Sequence, residues 1–211
     1  MTATRRPSAR LPLLIALAVL LLAAAGGLYW LLNCPPPAQR AADLLATAFA
    51  DDDYSFRSRA TLEVAGAVSE YFDLSGRVED GCSQVSGVIL GQEAELSYDG
   101  GRLRRRLPGG EWQERKVASL EAAAQLYAEL LPAAAFAYQG ELAAAGCRRV
   151  AGGWAISLRP AQPQGWVGQY FCDAVYVVYC DIWRQELLAA ELSATEKVNG
   201  QAVLHLKVEV D

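Results

Sequence analysis

Histidine-based catalysis would depend on one residue, because the 211-residue chain contains a single histidine, His205. His205 shares an alternating segment with Lys207 and Glu209, which is typical of the wetted face of a strand. The sequence contains no Gly-x-Ser-x-Gly motif and no glycine-rich motif that cradles phosphate. Paired carboxylates that hydrolyse glycosides stay open as an alternative, since nothing in the sequence selects a pair. We therefore expect no enzyme activity and no cofactor.

The cysteines are the other reactive side chains. One histidine cannot supply the usual mixed zinc sites, and no C-x-x-C pair is present, so we expect no metal site. Four of the five cysteines follow residue 38, and in an oxidising compartment such an even number favours disulfides. The preferred pairing joins Cys172 to Cys180 across a short loop and Cys82 to Cys147 across the domain. Buried cysteines without disulfides are the alternative.

The amino end has the pattern of a membrane anchor. Residues 1–10 carry three arginines and no acid, and residues 11–32 carry no charge at all. At the helical rise of 1.5 Å per residue, this apolar run is roughly 33 Å long, enough to cross a hydrocarbon core of about 30 Å. Tyr29 and Trp30 stand at its far end, where aromatic rings favour the membrane interface. Because arginines stay on the cytoplasmic side, the rest of the chain should lie outside the cytoplasm.

These features divide the chain into four parts. We expect a cytoplasmic basic tail at 1–10, a single transmembrane helix at 11–32, a proline-rich spacer at 33–37 and an extracytoplasmic domain at 38–211. A cleaved secretory signal is one alternative, because residues 23–27 offer small side chains for a cleavage site. Lipid modification of Cys34 is another, and both place the domain outside the cytoplasm. The location predicted is the cell membrane, with the carboxyl-terminal domain in the cell envelope.

Composition limits the partners. The net charge of -5 gives no reason to expect nucleic acid, whose binding needs concentrated positive charge. The chain is 53% hydrophobic, which is too apolar for a disordered protein. Its length allows one sizeable domain in addition to the anchor.

Alternation of apolar and polar residues predicts most of the domain as strands. Residues 54–64 and 68–78 alternate on both sides of a short glycine-containing connection, which predicts a long antiparallel hairpin. Helical spacing at 38–50 and 119–135 predicts two helices, the second capped by Ser119 and broken or bent by Pro132. Further strands are predicted at 82–90, 92–98, 102–107, 111–113, 146–150, 154–159, 175–182, 187–197 and 201–210. Residues 160–163 are predicted as a loop, and residues 165–172 allow either a short helix or a turn.

This order of elements resembles the LolA/LolB-like superfamily of bacterial envelope proteins, including the LppX/LprG-like lipoproteins, over residues 38–211. The resemblance rests on Tyr-Ser-Phe at 54–56, Val-Ser-Gly-Val at 85–88, Tyr-Asp-Gly-Gly-Arg-Leu at 98–103 with Trp112 after it, and Tyr-Cys-Asp at 179–181 followed by Asn-Gly at 199–200. It implies an α+β fold in which a curved antiparallel β-sheet, a half-barrel, covers two main α-helices.

The resemblance also implies a function. In that superfamily, the apolar space between sheet and helices holds acyl chains of lipoproteins or glycolipids. We therefore expect a membrane-anchored domain that binds a lipid or acylated molecule, with other envelope proteins as further partners. The alternative is a protein-interaction or sensor module without a lipid ligand. The residues expected to line the cavity are Leu45, Phe49, Phe56, Leu62, Phe72, Leu74, Leu96, Tyr127, Leu130 and Trp154.

Overall fold

A computed structural model describes residues 10–33, 38–50, 53–80, 82–99, 102–114, 119, 121–122, 125, 128–183 and 186–210. Two residues named above, Cys34 and Tyr127, lie outside the described residues, as do most of the basic tail and of the proline-rich spacer. The chain divides into two compact units, Met1–Pro35 and Pro36–Asp211.

The first unit contains helix α1, Arg10–Asn33. Its side chains are described for residues 16–30, and all of these are exposed. Among the residues that the structure describes, no helix is both long enough and apolar enough to cross a membrane.

The second unit is built on one open antiparallel sheet with the shape of a half-barrel. Its order is β6-β5-β4-β3-β2-β1-β11-β10-β9-β8-β7, so two meanders, β1 to β6 and β7 to β11, join where β1 pairs with β11. The strands are β1 Asp53–Val64, β2 Ala67–Glu79, β3 Cys82–Ile89, β4 Gln92–Asp99, β5 Arg102–Arg106, β6 Gln113–Glu114, β7 Tyr138–Val150, β8 Gly153–Pro163, β9 Phe171–Asp181, β10 Leu187–Glu196 and β11 Ala202–Val210. The predicted antiparallel sheet is confirmed.

Three helices of this unit have described bounds: α2 Ala38–Ala48, α3 Pro132–Ala135 and α4 Gly165–Tyr170. Helix α2 packs on β7 to β10 through its buried face of alanines and leucines. Of the second predicted helix, residues 121, 122, 125 and 128 are described and are helical. The Ser119 hydroxyl accepts a 3.1 Å hydrogen bond from the backbone N–H of Ala122, which confirms the predicted cap. Pro132 starts the separate helix α3, so the predicted break is also confirmed.

The first hairpin has a tight turn, followed by a β-bulge that shifts the alternation of its side chains. Ala65 and Gly66 connect β1 to β2, and both have positive φ (52° and 83°), as a two-residue type I′ turn requires. Ala60 pairs with Phe72 while Thr61 pairs with Glu70, so Tyr71 is the extra residue of a β-bulge. Simple alternation places Glu70 among the apolar side chains of β2. The bulge moves it out of that face. It lies on the outer face.

The concave face of the sheet is filled with apolar side chains between the strands and the helices. An aromatic cluster occupies its centre, where Phe136 stacks on Phe49 at 5.8 Å and meets the edge of Tyr176 at 5.3 Å between ring centroids. Tyr54 and Phe56 extend this cluster along β1. The outer face is wetted, with exposed Arg57 and Arg59 alternating with the buried positions of β1.

The structure departs from the sequence prediction around β7 and β8. Strand β7 begins at Tyr138 rather than near residue 146, and β8 continues to Pro163 through a segment predicted as a loop. The segment after β8, which allowed either a turn or a short helix, is helix α4.

The structure contradicts the predicted disulfides, because the four cysteines that it describes are not joined by disulfide bonds. Cys172 and Cys180 lie on the same strand, β9. Eight residues along a strand span roughly 26 Å, far beyond the reach of a disulfide. Cys82 on β3 and Cys147 on β7 are separated by six intervening strands.

Candidate functional site

An apolar cavity of about 420 Å³ opens between the concave face of the sheet and helix α4. We call it the apolar cavity. Its walls come from the ends of β1, β2 and β3 that lie near the β1–β2 turn, from the segment before α3, and from α4 with the start of β9. Its lining residues are Leu62, Tyr71, Phe72, Leu74, Ile89, Glu129, Leu130, Trp166, Tyr170 and Phe171.

The bulge in β2 determines the aromatic wall of this cavity. Neighbouring residues of a regular strand point to opposite faces. At the bulge, Tyr71 and Phe72 both line the cavity, with their ring centroids 5.6 Å apart. Leu74 and Ile89 complete this wall, since Phe72 pairs with Ile89 across β2 and β3. A local irregularity of one strand therefore gives the cavity two adjacent aromatic rings.

Helix α4 forms the opposite wall. Trp166 and Tyr170 are four residues apart, so they lie on one face of the helix and both line the cavity. The Trp166 ring packs edge-on against Phe171, with centroids 6.2 Å apart. Val167 is fully buried and anchors the helix, whereas Tyr170 is 56% exposed at the mouth of the cavity. Val167 therefore holds helix α4 in place, and the ring of Tyr170 lies at the open edge of the cavity.

The cavity offers few polar groups. Glu129 contributes the one charged side chain among its described lining residues. The indole Nε1 of Trp166 is buried and has no hydrogen-bond partner among the residues that the structure describes. A buried donor without a partner carries a desolvation cost, which a bound acceptor oxygen would relieve. Such an arrangement suits a ligand that is apolar along its length and has a single acceptor group.

The predicted cavity residues divide into two groups. Leu62, Phe72, Leu74 and Leu130 line the apolar cavity. The other described ones, Leu45, Phe49, Phe56, Leu96 and Trp154, pack within the core away from the cavity. The lining residues that the sequence did not identify are Tyr71, Ile89, Glu129, Trp166, Tyr170 and Phe171. For Trp166 and Tyr170, the helical spacing of four residues was an available signal.

The other reactive side chains lie apart from this cavity. His205 Nε2 is 3.6 Å from Glu63 Oε2 on the outer face, with both side chains about half exposed. The Cys82 thiol contacts Asp99 Oδ1 at 3.4 Å, and this hydrogen bond raises the pKa of the thiol. A raised pKa lowers the thiolate fraction and so the nucleophilicity. No group of three or more potential metal ligands occurs among the described residues.

An ion-pair cluster marks the outer face of β1 and β2. Asp73 accepts hydrogen bonds from Arg57 at 3.0 Å and from Arg59 at 2.6 Å. The bond from Arg57, followed by that from Arg59, lowers the pKa of the Asp73 carboxyl. The same contact raises the pKa of Arg57. The carboxylate is 19% exposed between two more exposed guanidinium groups, so this cluster is a structural contact on the convex side.

The fold and site together describe an open antiparallel half-barrel with an apolar cavity under its helical cover. No family model and no curated protein matches the sequence. A LolA superfamily protein from Nitrosomonas europaea is similar in structure, with a TM-score of 0.36 and 9% identity over 81% of this chain and 92% of that one. A DUF1329 family protein from Desulfovibrio piger has a TM-score of 0.31 and 12% identity over 83% and 91% of the two chains.

A third similar structure is an outer membrane lipoprotein-sorting protein domain from Vibrio parahaemolyticus. Its TM-score is 0.31, with 10% identity over 81% of this chain and 90% of that one. The resemblance predicted from the sequence is thus also found among solved structures.

Proposed function

We propose that the second unit is a binding protein, not an enzyme, and that it holds a lipid or an acylated molecule in the apolar cavity. The observation that carries this proposal is the cavity itself. Its volume of about 420 Å³ lies within the range of roughly 300–1,000 Å³ that is usual for small-molecule sites. Five aromatic and four aliphatic side chains line it, and an acyl chain gains about 0.8 kcal/mol for each buried methylene.

The position of the cavity supports an elongated ligand. Tyr170 stands exposed at its rim while Leu74 is almost fully buried at its floor. A chain that enters beside Tyr170 would lie along the apolar side chains, and its first acceptor oxygen would come within the reach of the α4 wall. The unpartnered Nε1 of Trp166 is the donor available there.

Uptake of a fluorescent fatty-acyl probe by the full chain tests this proposal. Leu130→Trp should fill part of the cavity and weaken probe binding at least about fivefold, because inserted bulk in a packed site costs about 1–3 kcal/mol. Leu188→Trp is the matched control, since Leu188 is 44% exposed on β10 and does not line the cavity. Probe that binds to the apolar run at 11–32 is common to all variants and cancels in the comparison.

The contrary outcomes are specific. Equal uptake by the Leu130→Trp variant and the wild type would place the bound probe elsewhere. If the purified chain carries no lipid and takes up no probe, the lipid proposal is wrong. A protein-interaction or sensor module of the cell envelope would then be the better hypothesis.

The proposed location follows from the sequence. We propose that residues 11–32 anchor the chain in the cell membrane, with the arginine-bearing amino end in the cytoplasm and the second unit outside it. A lipid-binding domain in this position would work next to the membrane that supplies its ligand. A reporter fused after Asp211 tests this topology, and activity only in the cytoplasm would refute it.

A further inference from the structure

A second, larger cavity lies on the other side of helix α4. It has a volume of about 750 Å³ and opens between the end of β8 and the start of β9. We call it the polar cleft. Its lining residues are Arg159, Pro160, Ala161, Gln162, Pro163, Gln164, Gly165, Gly168, Gln169, Phe171, Cys172, Asp173, Ala174 and Lys197.

The cleft exists because the sheet splits. Strands β8 and β9 pair from Gly153–Asp181 as far as Leu158–Tyr176 and no further, although both strands continue. Asp173 has a positive φ of 52°, and the register between β9 and β10 shifts beside it. Such a kink turns the start of β9 away from β8. Proline at 160 and 163 lacks the N–H that further pairing needs.

The backbone at Asp173 has a left-handed conformation. A residue other than glycine in this conformation costs of order 1–3 kcal/mol, and such residues concentrate at binding sites. Here the residue lies at the wall of a cavity of about 750 Å³. The conformation of Asp173 occurs in the part of β9 that no longer pairs with β8.

The charges of the cleft favour an anion. Among the described lining residues, Arg159 and Lys197 are the cations and Asp173 is the one carboxylate. Arg159 is exposed and makes no ion pair or hydrogen bond with any residue that the structure describes. The Lys197 ammonium donates a hydrogen bond to the Gly168 carbonyl, which holds it at the end of α4 and leaves its other donors available. Guanidinium and ammonium groups are the side chains that bind phosphate.

The polar cleft and the apolar cavity share one wall. Trp166 and Tyr170 of α4 face the apolar cavity, whereas Gly165, Gly168 and Gln169 face the polar cleft. Phe171 lines both. Helix α4 and the ring of Phe171 thus separate an apolar compartment from a larger polar one. An amphiphilic molecule is divided in the same way, into an apolar part and a polar part.

We infer that the polar cleft binds the phosphate-bearing headgroup of an amphiphile whose acyl chain occupies the apolar cavity. This inference rests on the proposed function and names the class of ligand. Arg159 and Lys197 bind the phosphate oxygens, and the glutamine side chains of the cleft bind the polar groups beyond the phosphate. The ligand passes over Phe171 at the end of α4.

Two amphiphiles with the same acyl chain test the inference: lysophosphatidylglycerol, which carries a phosphate, and monoacylglycerol, which does not. Affinities are measured with the full chain by displacement of a fluorescent fatty-acyl probe. The wild type should bind the phospholipid about tenfold more tightly, as expected for charge-assisted hydrogen bonds. Arg159→Gln should remove most of this preference and leave the affinity for monoacylglycerol unchanged.

Arg102→Gln is the matched control, since Arg102 is exposed, lies on β5 away from the cleft and loses the same charge. Lys197→Gln gives a second, independent variant, and thermal unfolding shows whether each variant is folded. The preference should also fall as salt is raised, since exposed charges are screened over about 10 Å at 0.1 M ionic strength.

Each outcome has one meaning. If monoacylglycerol binds but the phospholipid binds no more tightly, or if Arg159→Gln keeps the preference, the headgroup inference is wrong and the proposed function stands. If neither amphiphile binds, both are wrong. If glycerol phosphate alone binds as tightly as the phospholipid, the cleft is a site for free phosphate esters and not for a lipid headgroup.

Discussion

Asp73 shows how a single carboxylate joins two strands on the outer face. It accepts hydrogen bonds from Arg57 and Arg59 of the neighbouring strand, and these bonds lower its pKa. A carboxyl group whose pKa is lower in the folded state stabilises the fold above its unfolded pKa of about 3.9. This stabilisation is lost as the pH falls through the folded pKa.

We therefore expect Asp73→Asn to lower the urea midpoint of unfolding at pH 7 and to have a vanishing effect as the pH falls below the folded pKa of Asp73. Asp53→Asn is the control, because Asp53 has a single exposed contact with Arg77 at 3.6 Å. Urea titrations of both variants between pH 2 and pH 7 make the measurement. An effect of Asp73→Asn that stays constant over this range would exclude an electrostatic origin.

At the scale of residues, the sequence identifies the apolar face but not the cavity. Phe56 and Phe72 occupy equivalent inward positions in their strands, so alternation treats them alike. Phe56 is 3% exposed within the aromatic cluster, whereas Phe72 lines the apolar cavity. The difference depends on where the helical cover ends above the sheet. That placement is a property of tertiary packing, which a local pattern does not contain.

Among the elements, helix α4 determines the shape of both candidate sites. Gly168 brings it against the end of β8, since a Cβ at this position would lie 2.0 Å from the carbonyl oxygen of Pro163. Gly168→Ala must therefore displace the helix. We expect a loss of about 1–3 kcal/mol in the free energy of unfolding, the usual cost of overpacking. We also expect weaker uptake of the acyl probe, because Trp166 and Tyr170 move with the helix.

Gly146→Ala is the control for this change. A Cβ at Gly146 meets no atom within 4 Å, so its effect should stay within about 0.5 kcal/mol. Chemical denaturation and probe titration of both variants test the prediction. If Gly168→Ala binds the probe as the wild type does, α4 does not set the wall of the ligand site.

Elements with strong local signals were predicted, and those without them were missed. The hairpin of β1 and β2 was predicted because two long alternating runs flank a short turn. The first part of β7 was missed because the run from 142 to 146, Leu-Ala-Ala-Ala-Gly, shows no alternation. This edge strand is largely exposed, so burial does not impose a pattern on it. The polar cleft was missed because it lies beside the kink at Asp173, between the segment that allowed a helix or a turn and the strand predicted at 175–182.

In the molecule as a whole, one pairing holds two meanders together. Every other neighbouring pair of described strands is consecutive in sequence, whereas β1 pairs with β11 across the length of the domain. Leu206 lies at this seam, opposite Ala60 of β1 and Leu192 of β10, and is 2% exposed. The core residues run continuously across the seam, from Leu74 on one side to Tyr176 on the other. A continuous core implies that both meanders unfold as one cooperative unit.

Leu206→Ala tests that cooperativity. Removal of a buried leucine side chain should lower the free energy of unfolding by about 2–5 kcal/mol. If the unit is cooperative, the slowest amides of β3 and of β9 should lose the same protection in hydrogen exchange, although the two strands lie in different meanders. Leu188→Ala, at an exposed position of β10, should leave the free energy of unfolding and the hydrogen-exchange protection unchanged. Loss of protection in β9 to β11 alone would show that the two meanders are separate folding units joined at β1 and β11.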